Sequence, residues 1–321
     1  MKDKINDIKV QEAEKFYASF LKYTQSVFTG IGLLDMDSIT KKISELRNEV
    51  QHNRQFLLYA MYGMEHEKDE NYLASHAIRT SAIAMIIGKY LKIAPHRLLE
   101  LGIAAFLHDI GMLALPQETY LNELDLKAQE KEIINNHPLH SYNMLKSSKC
   151  TQAISSAVLE HHERENGSGY PRKLTGEHIS LYGKIIAVAC SYEALSAKRS
   201  YKKAKDQHRA MVELVRNKDS LYNITVIRAL VTALSFYPIG TYVLLSDGKL
   251  GRVFDINPEN QHYPIVQLEE NTIITTTYNN VSIINSLTRE EIDRKKEGWC
   301  SAKEFIMKHR PAAREPELRQ A

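Results

Sequence analysis

Five histidines in the middle of the chain fall on the faces or at the ends of segments with a helical pattern, and an aspartate directly follows one of them. These residues are His76, His108, Asp109, His137, His161 and His162. A single histidine on an apolar helix face is more often a hydrogen-bonded core residue than a metal ligand. Burial in the core explains one histidine better than it explains all five together with Asp109. The apolar helices that separate these residues in sequence must pack against one another. Imidazole nitrogens and carboxylate oxygens suit first-row transition metals, so the set is a candidate metal site.

Phosphoryl transfer is a reaction that such a site could perform. A carboxylate can bridge two ions, and two ions about 3.5–4 Å apart can activate a water molecule and hold a phosphoryl group. Adjacent residues of a regular helix point about 100° apart. His161 and His162 can therefore share one pocket only where their helix ends. The glycines of "HHERENGSGYP", Gly167 and Gly169, are suited to a turn of the backbone at that point.

Helical patterns dominate the chain up to about residue 235. Apolar residues recur at helical spacings from Ile39 to Val50. Further on, "NYLASHAIRTSAIAMIIGKYLKI" places His76 and Tyr90 on one helix face. The next segment, "APHRLLELGIAAFLHDIG", predicts a helix with Gly111 as its C-cap. These helices would have to bring the histidines together.

A β pattern begins after Tyr237-Pro238. "GTYVLLSDGKLGRVFDIN" alternates in polarity, and its "SDGKL" predicts a hairpin with Asp-Gly at the tip. The sequence therefore predicts a mainly α protein with a small C-terminal antiparallel β domain. The predicted boundaries are residues 1–68 for an N-terminal helical region, 69–236 for the histidine-bearing domain, 237–286 for the β extension and 287–321 for a charged tail.

Composition limits the classes of protein and partner. The chain has 321 residues, 43% of them hydrophobic, and a net charge of +3 with mixed signs, which gives no reason to expect DNA, RNA or a membrane surface as a partner. Cys150, Cys190 and Cys300 are far apart and form no CxxC pair. With no recognisable secretory leader and no long apolar run, we expect a cytoplasmic protein without a membrane span.

The motifs, taken together, resemble one known family. His76, "HDIG" at 108–111 and "HHERENGSGYP" at 161–171 are followed in order by "LTGEHISL", "KIIAVA" and "ALSAKRSYKKA". This order resembles the HD-GYP domain, a branch of the HD phosphohydrolase superfamily, over about residues 70–235. The resemblance implies an HD-type helical bundle with two, sometimes three, iron or manganese ions. It also implies hydrolysis of cyclic di-GMP to a linear dinucleotide or to GMP.

Roles for individual residues follow from the same resemblance. His108 and Asp109 match the catalytic centre, with Asp109 as the carboxylate that bridges two metal ions. The full set that matches metal ligands is His76, His108, Asp109, His137, His161 and His162. The positions that match substrate-binding residues are Gly169, Tyr170, Arg199 and Lys202. A guanidinium presents forked donors, which suits phosphate and guanine recognition by Arg199.

The sequence departs from the family pattern at the metal site. Cys190 stands where the family has an aspartate ligand in "VAD", and Glu193 keeps the second acidic position in kind. Met112 replaces the lysine of "HDIGK". Tyr72 replaces a glutamate that three-metal members use, which argues for two ions, and Asn166 replaces the aspartate of "DGSGYP".

Cys190 leaves two alternatives open. A thiolate can bind iron or zinc, whereas a buried free cysteine otherwise behaves as a small hydrophobic residue. The prediction is one firmly bound ion, near His161, and a second ion near His76 that is weak or absent.

Three functions compete on this basis. The first is a cyclic di-GMP phosphodiesterase, with activity reduced by Cys190 and Met112. The second is a degenerate member that binds cyclic di-GMP or a signalling-protein partner without turnover. The third, a nucleotide 5′-phosphohydrolase of the broader HD type, is disfavoured because "HHE…GYP" belongs to the narrower branch. A homodimer through the N-terminal helices is expected by analogy with related folds alone.

Overall fold

A computed structural model describes residues 2–29, 34–52, 72–116, 128–148, 150–196, 207–217, 220–257, 259–268, 272–288 and 291–292. The predicted substrate-binding residues Arg199 and Lys202, together with Cys300, lie outside these ranges. The chain divides into two compact units, Met1–Phe236 and Tyr237–Ala321. The four-part division predicted from the sequence stays a prediction.

The described part of the first unit is helical. In chain order its α-helices are α1 (Lys2–Thr29), α2 (Met36–His52), α3 (Tyr72–Tyr90), α4 (Pro95–Leu107), α5 (Ala128–Asn135), α6 (His137–Ser147), α7 (Gln152–Glu160), α8 (Leu181–Ser196), α9 (Gln207–Arg216) and α10 (Ile224–Leu234). The described part also contains two short 3-10 helices. One, Ile110–Ala114, follows α4, and the other, Gly176–His178, precedes α8. Among the described helices, none combines the length and apolar character needed to cross a bilayer.

Helix α3 is the central element of this unit. It packs against α1, α2, α4, α8 and α10, and its side chains are buried on every side from Leu73 to Gly88. The pattern of α2 is simpler, because its buried residues recur at helical spacings from Ile39 to Val50 as predicted. Tyr90, which shares a predicted face with His76, is 47% exposed, since α3 ends there.

The predicted C-cap at Gly111 is wrong. Helix α4 ends at Leu107, and a 3-10 helix continues from Ile110 to Ala114. Gly111 is needed for a different reason, because a Cβ atom there would lie 2.3 Å from the carbonyl oxygen of His137 and 2.4 Å from the backbone nitrogen of Ser141. The glycine therefore allows the start of α6 to approach the histidine-aspartate pair.

The second unit contains a five-stranded antiparallel sheet. Its strands are β1 (Tyr242–Leu245), β2 (Leu250–Asp255), β3 (Ile265–Leu268), β4 (Ile273–Thr275) and β5 (Ile283–Leu287), in the spatial order β4-β3-β2-β1-β5. The β1–β2 hairpin turns through Asp247-Gly248, where Gly248 has a φ of 84° that favours glycine. Val243, Val253 and Val266 are buried in its core. The predicted fold class, mainly α with a small antiparallel β domain, is confirmed.

Candidate metal centre

Side chains from five helical elements converge inside the first unit. The structure places their donor atoms in two groups, each with all its donors within 4.8 Å of one another. The first group, called the GYP-side group below, is Asp109, His137, His161 and His162. The second, called the α3-side group, is His76, His108 and Cys190. All six positions that match metal ligands, and Cys190, whose role the sequence left open, therefore lie in this cluster.

Asp109 lies between the two groups. Its Oδ1 atom is 3.1 Å from Nε2 of His137 and 3.5 Å from Nε2 of His161. Its Oδ2 atom is 3.5 Å from Nε2 of His76 and 3.3 Å from Nε2 of His108. One carboxylate thus presents a separate oxygen to each group, which is the arrangement expected of a bridging ligand.

Helix ends fix the tautomers of three of these histidines. The Nδ1 atoms of His108, His137 and His161 each donate a hydrogen bond to the carbonyl oxygen three residues earlier. The distances are 2.8 Å to Ala105, 2.6 Å to Ile134 and 2.6 Å to Val158. A carbonyl oxygen only accepts, so each Nδ1 carries a proton and the Nε2 atom of each ring faces the cluster.

These inward-facing Nε2 atoms need a positive charge between them. Nε2 of His137 is 3.1 Å from Nε2 of His161, and Nε2 of His76 is 3.2 Å from Nε2 of His108. Asp109 is buried, and within the described part of the chain its Oδ1 accepts no hydrogen bond. A buried polar atom without a partner at a cluster of nitrogen donors is typical of a cation site. The residues therefore fit divalent ions.

His76 is held differently, by a contact across the bundle. Its Nδ1 forms a short contact with Oε2 of Glu193, and Oε1 of the same carboxylate accepts a hydrogen bond of 2.6 Å from Nε of Arg79. Glu193 is buried one helical turn after Cys190 on α8. A carboxylate behind a metal-binding histidine is a frequent way of orienting the ring. Sequence analysis missed Arg79, although a charged residue in the middle of a largely apolar helix is a signal that could have drawn attention to it.

The pKa shifts of Asp109 and of three buried histidines around it suit metal binding. Burial, followed by the charges of neighbouring histidines, lowers the pKa of His162 well below its ordinary value. Burial also lowers the pKa of His161, and that of His108 to about 3. Burial by itself would raise the pKa of Asp109, but His108 and the other nearby histidines hold it well below its ordinary value. Neutral imidazoles and an ionised carboxylate are the forms that bind metal.

The pKa of His76 shifts in the opposite direction. Burial would lower it, but the electrostatic interactions with Tyr72 and Glu193 outweigh burial and raise the pKa well above its ordinary value. In the metal-free protein a proton on His76 therefore supplies part of the positive charge that the α3-side group needs.

The loop after α7 explains why two adjacent histidines can point into one site. Helix α7 ends at Glu160, so His161 and His162 lie where the backbone leaves the helix. The backbone N–H of Tyr170 donates to the carbonyl oxygen of His162 at 3.2 Å, and the two rings stack with centroids 4.6 Å apart. A Cβ atom on Gly169 would lie 2.4 Å from that carbonyl oxygen, so only glycine fits.

Two further side chains hold this loop and the "HDIG" turn. The buried carboxylate of Glu163 accepts hydrogen bonds from the backbone N–H groups of Arg172 (2.7 Å) and Leu174 (2.9 Å). The hydroxyl of Ser141 donates to the carbonyl oxygen of His108 and accepts from the backbone N–H of Gly111, both at 2.8 Å. Sequence analysis missed Ser141, although its position one helical turn after His137 on α6 was a usable signal.

Three positions at which the sequence departs from the family pattern make ordinary structural contacts. The ring of Tyr72 stacks on His76 with centroids 5.6 Å apart. Met112 is 9% exposed and packs in the apolar core. Asn166 accepts hydrogen bonds within its turn, from the backbone N–H of Ser168 at 3.0 Å and its hydroxyl at 2.6 Å, as expected for this residue type.

A family described as "HD domain" matches residues 62–226, more than half of the 321-residue chain. The helical bundle and the histidine-aspartate centre thus define a class, and the chain belongs to the HD domain family. This finding confirms the resemblance inferred from the motifs.

Curated relatives carry similar sequences. The Cyclic di-GMP phosphodiesterase PdeB of Borreliella burgdorferi is 27% identical over 234 residues, which cover 70% of this chain and 62% of the relative. A cyclic di-GMP phosphodiesterase of Pseudomonas aeruginosa is 33% identical over 190 residues, which cover 58% of this chain and 45% of the relative. The chain therefore spans less than two thirds of the length of these relatives.

A solved structure has the same fold. It is described as Bd1817, a HDG"Y"P protein from Bdellovibrio bacteriovorus, and it matches with a TM-score of 0.57 at 18% identity over 69% of this chain and 71% of that chain. At this identity the match establishes the fold alone.

Proposed function

We propose that the protein is a metal-dependent cyclic di-GMP phosphodiesterase, which hydrolyses a 3′-5′ phosphodiester bond of the cyclic dinucleotide with reduced activity. The single observation that carries this proposal is the position of Asp109, with one carboxylate oxygen facing each of two groups of histidines. The names of the relatives supply the substrate class, since both are cyclic di-GMP phosphodiesterases.

Two divalent ions, iron or manganese, are the proposed cofactors. The GYP-side group would hold one ion through its three histidines and Oδ1 of Asp109. His76, His108 and Oδ2 of Asp109 would hold the other. When bound, such a pair of ions activates water for attack on phosphorus and stabilises the charge that develops on the phosphoryl oxygens.

The proposed substrate-binding residues lie beside the GYP-side group or follow α8. Burial raises the pKa of the Tyr170 hydroxyl, so this phenol stays protonated and can donate a hydrogen bond to a phosphate or a base. Gly169 fixes the backbone that carries Tyr170. Arg199 and Lys202 are proposed to bind phosphate and guanine groups, on the strength of their place in the motif.

A degenerate sensor is the second candidate, and Met112 is the observation that favours it. A lysine at this position would bring a cation towards the substrate phosphate, but Met112 packs in the apolar core. The loss of preorganised charge reduces catalysis more than binding, because the charge acts most strongly in the transition state. Such a protein would bind cyclic di-GMP, or a signalling protein, without turnover.

Anaerobic purification, a metal count per chain and a cyclic di-GMP cleavage assay with iron or manganese distinguish the two. The phosphodiesterase proposal expects metal-dependent formation of linear dinucleotide or GMP, abolished in His161→Ala. The exposed His96 on α4 supplies a matched control, since His96→Ala should leave both metal content and cleavage unchanged. Binding of intact cyclic di-GMP with no cleavage in either metal would establish the sensor instead. Homodimerisation through the N-terminal helices stays a prediction, which sedimentation of the full chain tests.

A further inference from the structure

Cys190 is the donor that the proposed function leaves without a role. Its side chain projects from α8 and is buried, with 9% of its surface exposed. The sulfur lies 3.6 Å from Nε2 of His76, and the possible ligand atoms of His76, His108 and Cys190 all lie within 4.8 Å of one another. The thiol therefore lies among metal-binding nitrogens.

The usual explanation of a buried cysteine is apolar packing. That explanation accounts poorly for this one, because its sulfur contacts the imidazole nitrogen that faces the cluster. Nδ1 of His76 contacts the carboxylate of Glu193. The other ring nitrogen, Nε2, is the one nearest the sulfur and is available to an ion. Independently, Oδ1 of the buried Asp109, which faces the GYP-side group, accepts no hydrogen bond within the described residues, which indicates that the shared cluster needs a cation.

We propose that Cys190 is a thiolate ligand of the α3-side ion, and that the two metal positions differ in the class of ion they prefer. The GYP-side position offers three imidazole nitrogens and one carboxylate oxygen. The α3-side position offers two imidazole nitrogens, one sulfur and one carboxylate oxygen. Thiolate ligands favour borderline or softer ions, so this position takes Fe²⁺, Co²⁺ or Zn²⁺ in preference to Mn²⁺. The proposal rests on the proposed di-metal function.

Charge balance agrees with this assignment. A thiolate carries the same single negative charge as a carboxylate, so the sulfur changes the softness of the position and leaves its formal charge as it would be with aspartate. The other nearby carboxylate, Glu193, already contacts His76 and Arg79, and is thereby directed at the back of the histidine and away from the ion. The sulfur is then the second anionic donor of the α3-side position, beside Asp109.

Cobalt provides a direct readout, because a thiolate bound to Co²⁺ gives a charge-transfer absorption in the near ultraviolet that nitrogen and oxygen ligands lack. The metal-free full chain is loaded with Co²⁺ under anaerobic conditions, and the absorption and the cobalt content per chain are recorded. The same is done for Cys190→Ser and Cys190→Asp. Cys150→Ser is the matched control, since Cys150 is half-buried and contacts Met36.

We expect the native chain and Cys150→Ser to bind two Co²⁺ and to show the charge-transfer band. Cys190→Ser should lose the band and bind the second ion about 10- to 100-fold more weakly, at least the effect of removing an outer-shell partner. Cys190→Asp should lose the band but keep two ions, with the preference of the second position moved by about tenfold or more towards Mn²⁺. Circular dichroism checks that both variants are folded, and Cys190→Asp covers the case in which Cys190→Ser misfolds.

The outcomes separate this proposal from the proposed function. Two cobalt ions without a charge-transfer band would overturn thiolate ligation and leave the phosphodiesterase proposal intact. A band that survives in Cys190→Ser would overturn it as well, because another cysteine would be the ligand. A band that depends on Cys190, in a protein that cleaves no cyclic di-GMP with any metal, would support thiolate ligation and overturn the enzymatic function.

Discussion

The two halves of the metal centre are built by different means. In the GYP-side group, His137 and His161 are each oriented by a carbonyl oxygen three residues earlier, so local helix-end geometry suffices. In the α3-side group, His76 is oriented by Glu193, which is 117 residues away in sequence and is itself held by Arg79. The GYP-side half is thus oriented by local backbone structure, whereas the α3-side half combines a locally oriented histidine, His108, with His76, which depends on a charged contact between packed helices. The α3-side half should respond more strongly to substitution and to pH.

The largest effect is expected from a substitution of Asp109, the residue that the two halves share. Asp109→Asn keeps the size of the side chain but loses the charge that faces both groups. We expect the content of both ions to fall and cyclic di-GMP cleavage to drop by at least about 10³-fold, comparable to the loss of a key electrostatic group in other active sites. Metal analysis and the cleavage assay measure this. A variant that still holds two ions with near-native turnover would show that Asp109 does not bridge them.

Glu193→Gln should separate the halves. The amide keeps the shape but removes the charge that orients His76, so the α3-side ion should bind about 10- to 100-fold more weakly while the GYP-side ion is unaffected. Titration of the metal-free protein with Co²⁺ measures both affinities. Glu45→Gln is the matched control, since Glu45 pairs with Lys42 at the surface of α2. Equal weakening of both ions, or no weakening of either, would contradict the distinction drawn here.

Acidity should separate the halves in a second way. The raised pKa of His76 means that a proton competes with the α3-side ion at every pH below that pKa. Across that range, which includes pH 6.5, affinity should fall by up to about tenfold for each unit of acidification. The lowered pKa values of His161 and His162 keep these two rings neutral over the same range, so the affinity of the GYP-side ion should depend less on pH. Calorimetry in buffers of different ionisation enthalpy counts the protons released per ion.

The metal-free protein should show the matching change in stability. The folded-state pKa of His76 is raised, so its contribution to the free energy of unfolding is fully present below the unfolded pKa of about 6.5. That contribution is lost as the pH rises through the folded value. His108, whose pKa is lowered to about 3, acts in the opposite sense and destabilises the fold on acidification. In metal-free His76→Ala, the free energy of unfolding should therefore no longer fall as the pH rises, but it should still fall on acidification. Denaturant unfolding at a series of pH values measures both changes.

The sequence predicted the local half of the site better than the long-range half. A histidine pair at a helix end, followed by glycines, carries its structural reason within one short stretch, and the structure shows the expected helix end and turn. The contact between Arg79 and Glu193 joins residues 114 positions apart, and no local spacing reveals it. Gly111 was misread for the same reason. Its sequence context suggested a helix cap, whereas its actual constraint is the backbone of α6 at His137 and Ser141.

Gly111 also provides the smallest predicted effect, because it lies next to both halves without being a donor. In Gly111→Ala the new methyl group would meet backbone atoms of α6 at 2.3 and 2.4 Å, so the helix has to shift. We expect a loss of about 1–3 kcal/mol in the free energy of unfolding, as for other overpacked sites. Gly88→Ala is the control, since its methyl group would meet side-chain ends and no backbone among its nearest neighbours, Leu98 at 2.7 Å, Leu101 at 2.8 Å and Ile93 at 3.5 Å. Because Gly88 is inside α3, where alanine is favoured, its substitution should cost less. A Gly111→Ala protein as stable as Gly88→Ala would mean that α6 can move away from the "HDIG" turn, and that the position of His137 is less tightly fixed than its local hydrogen bond suggests.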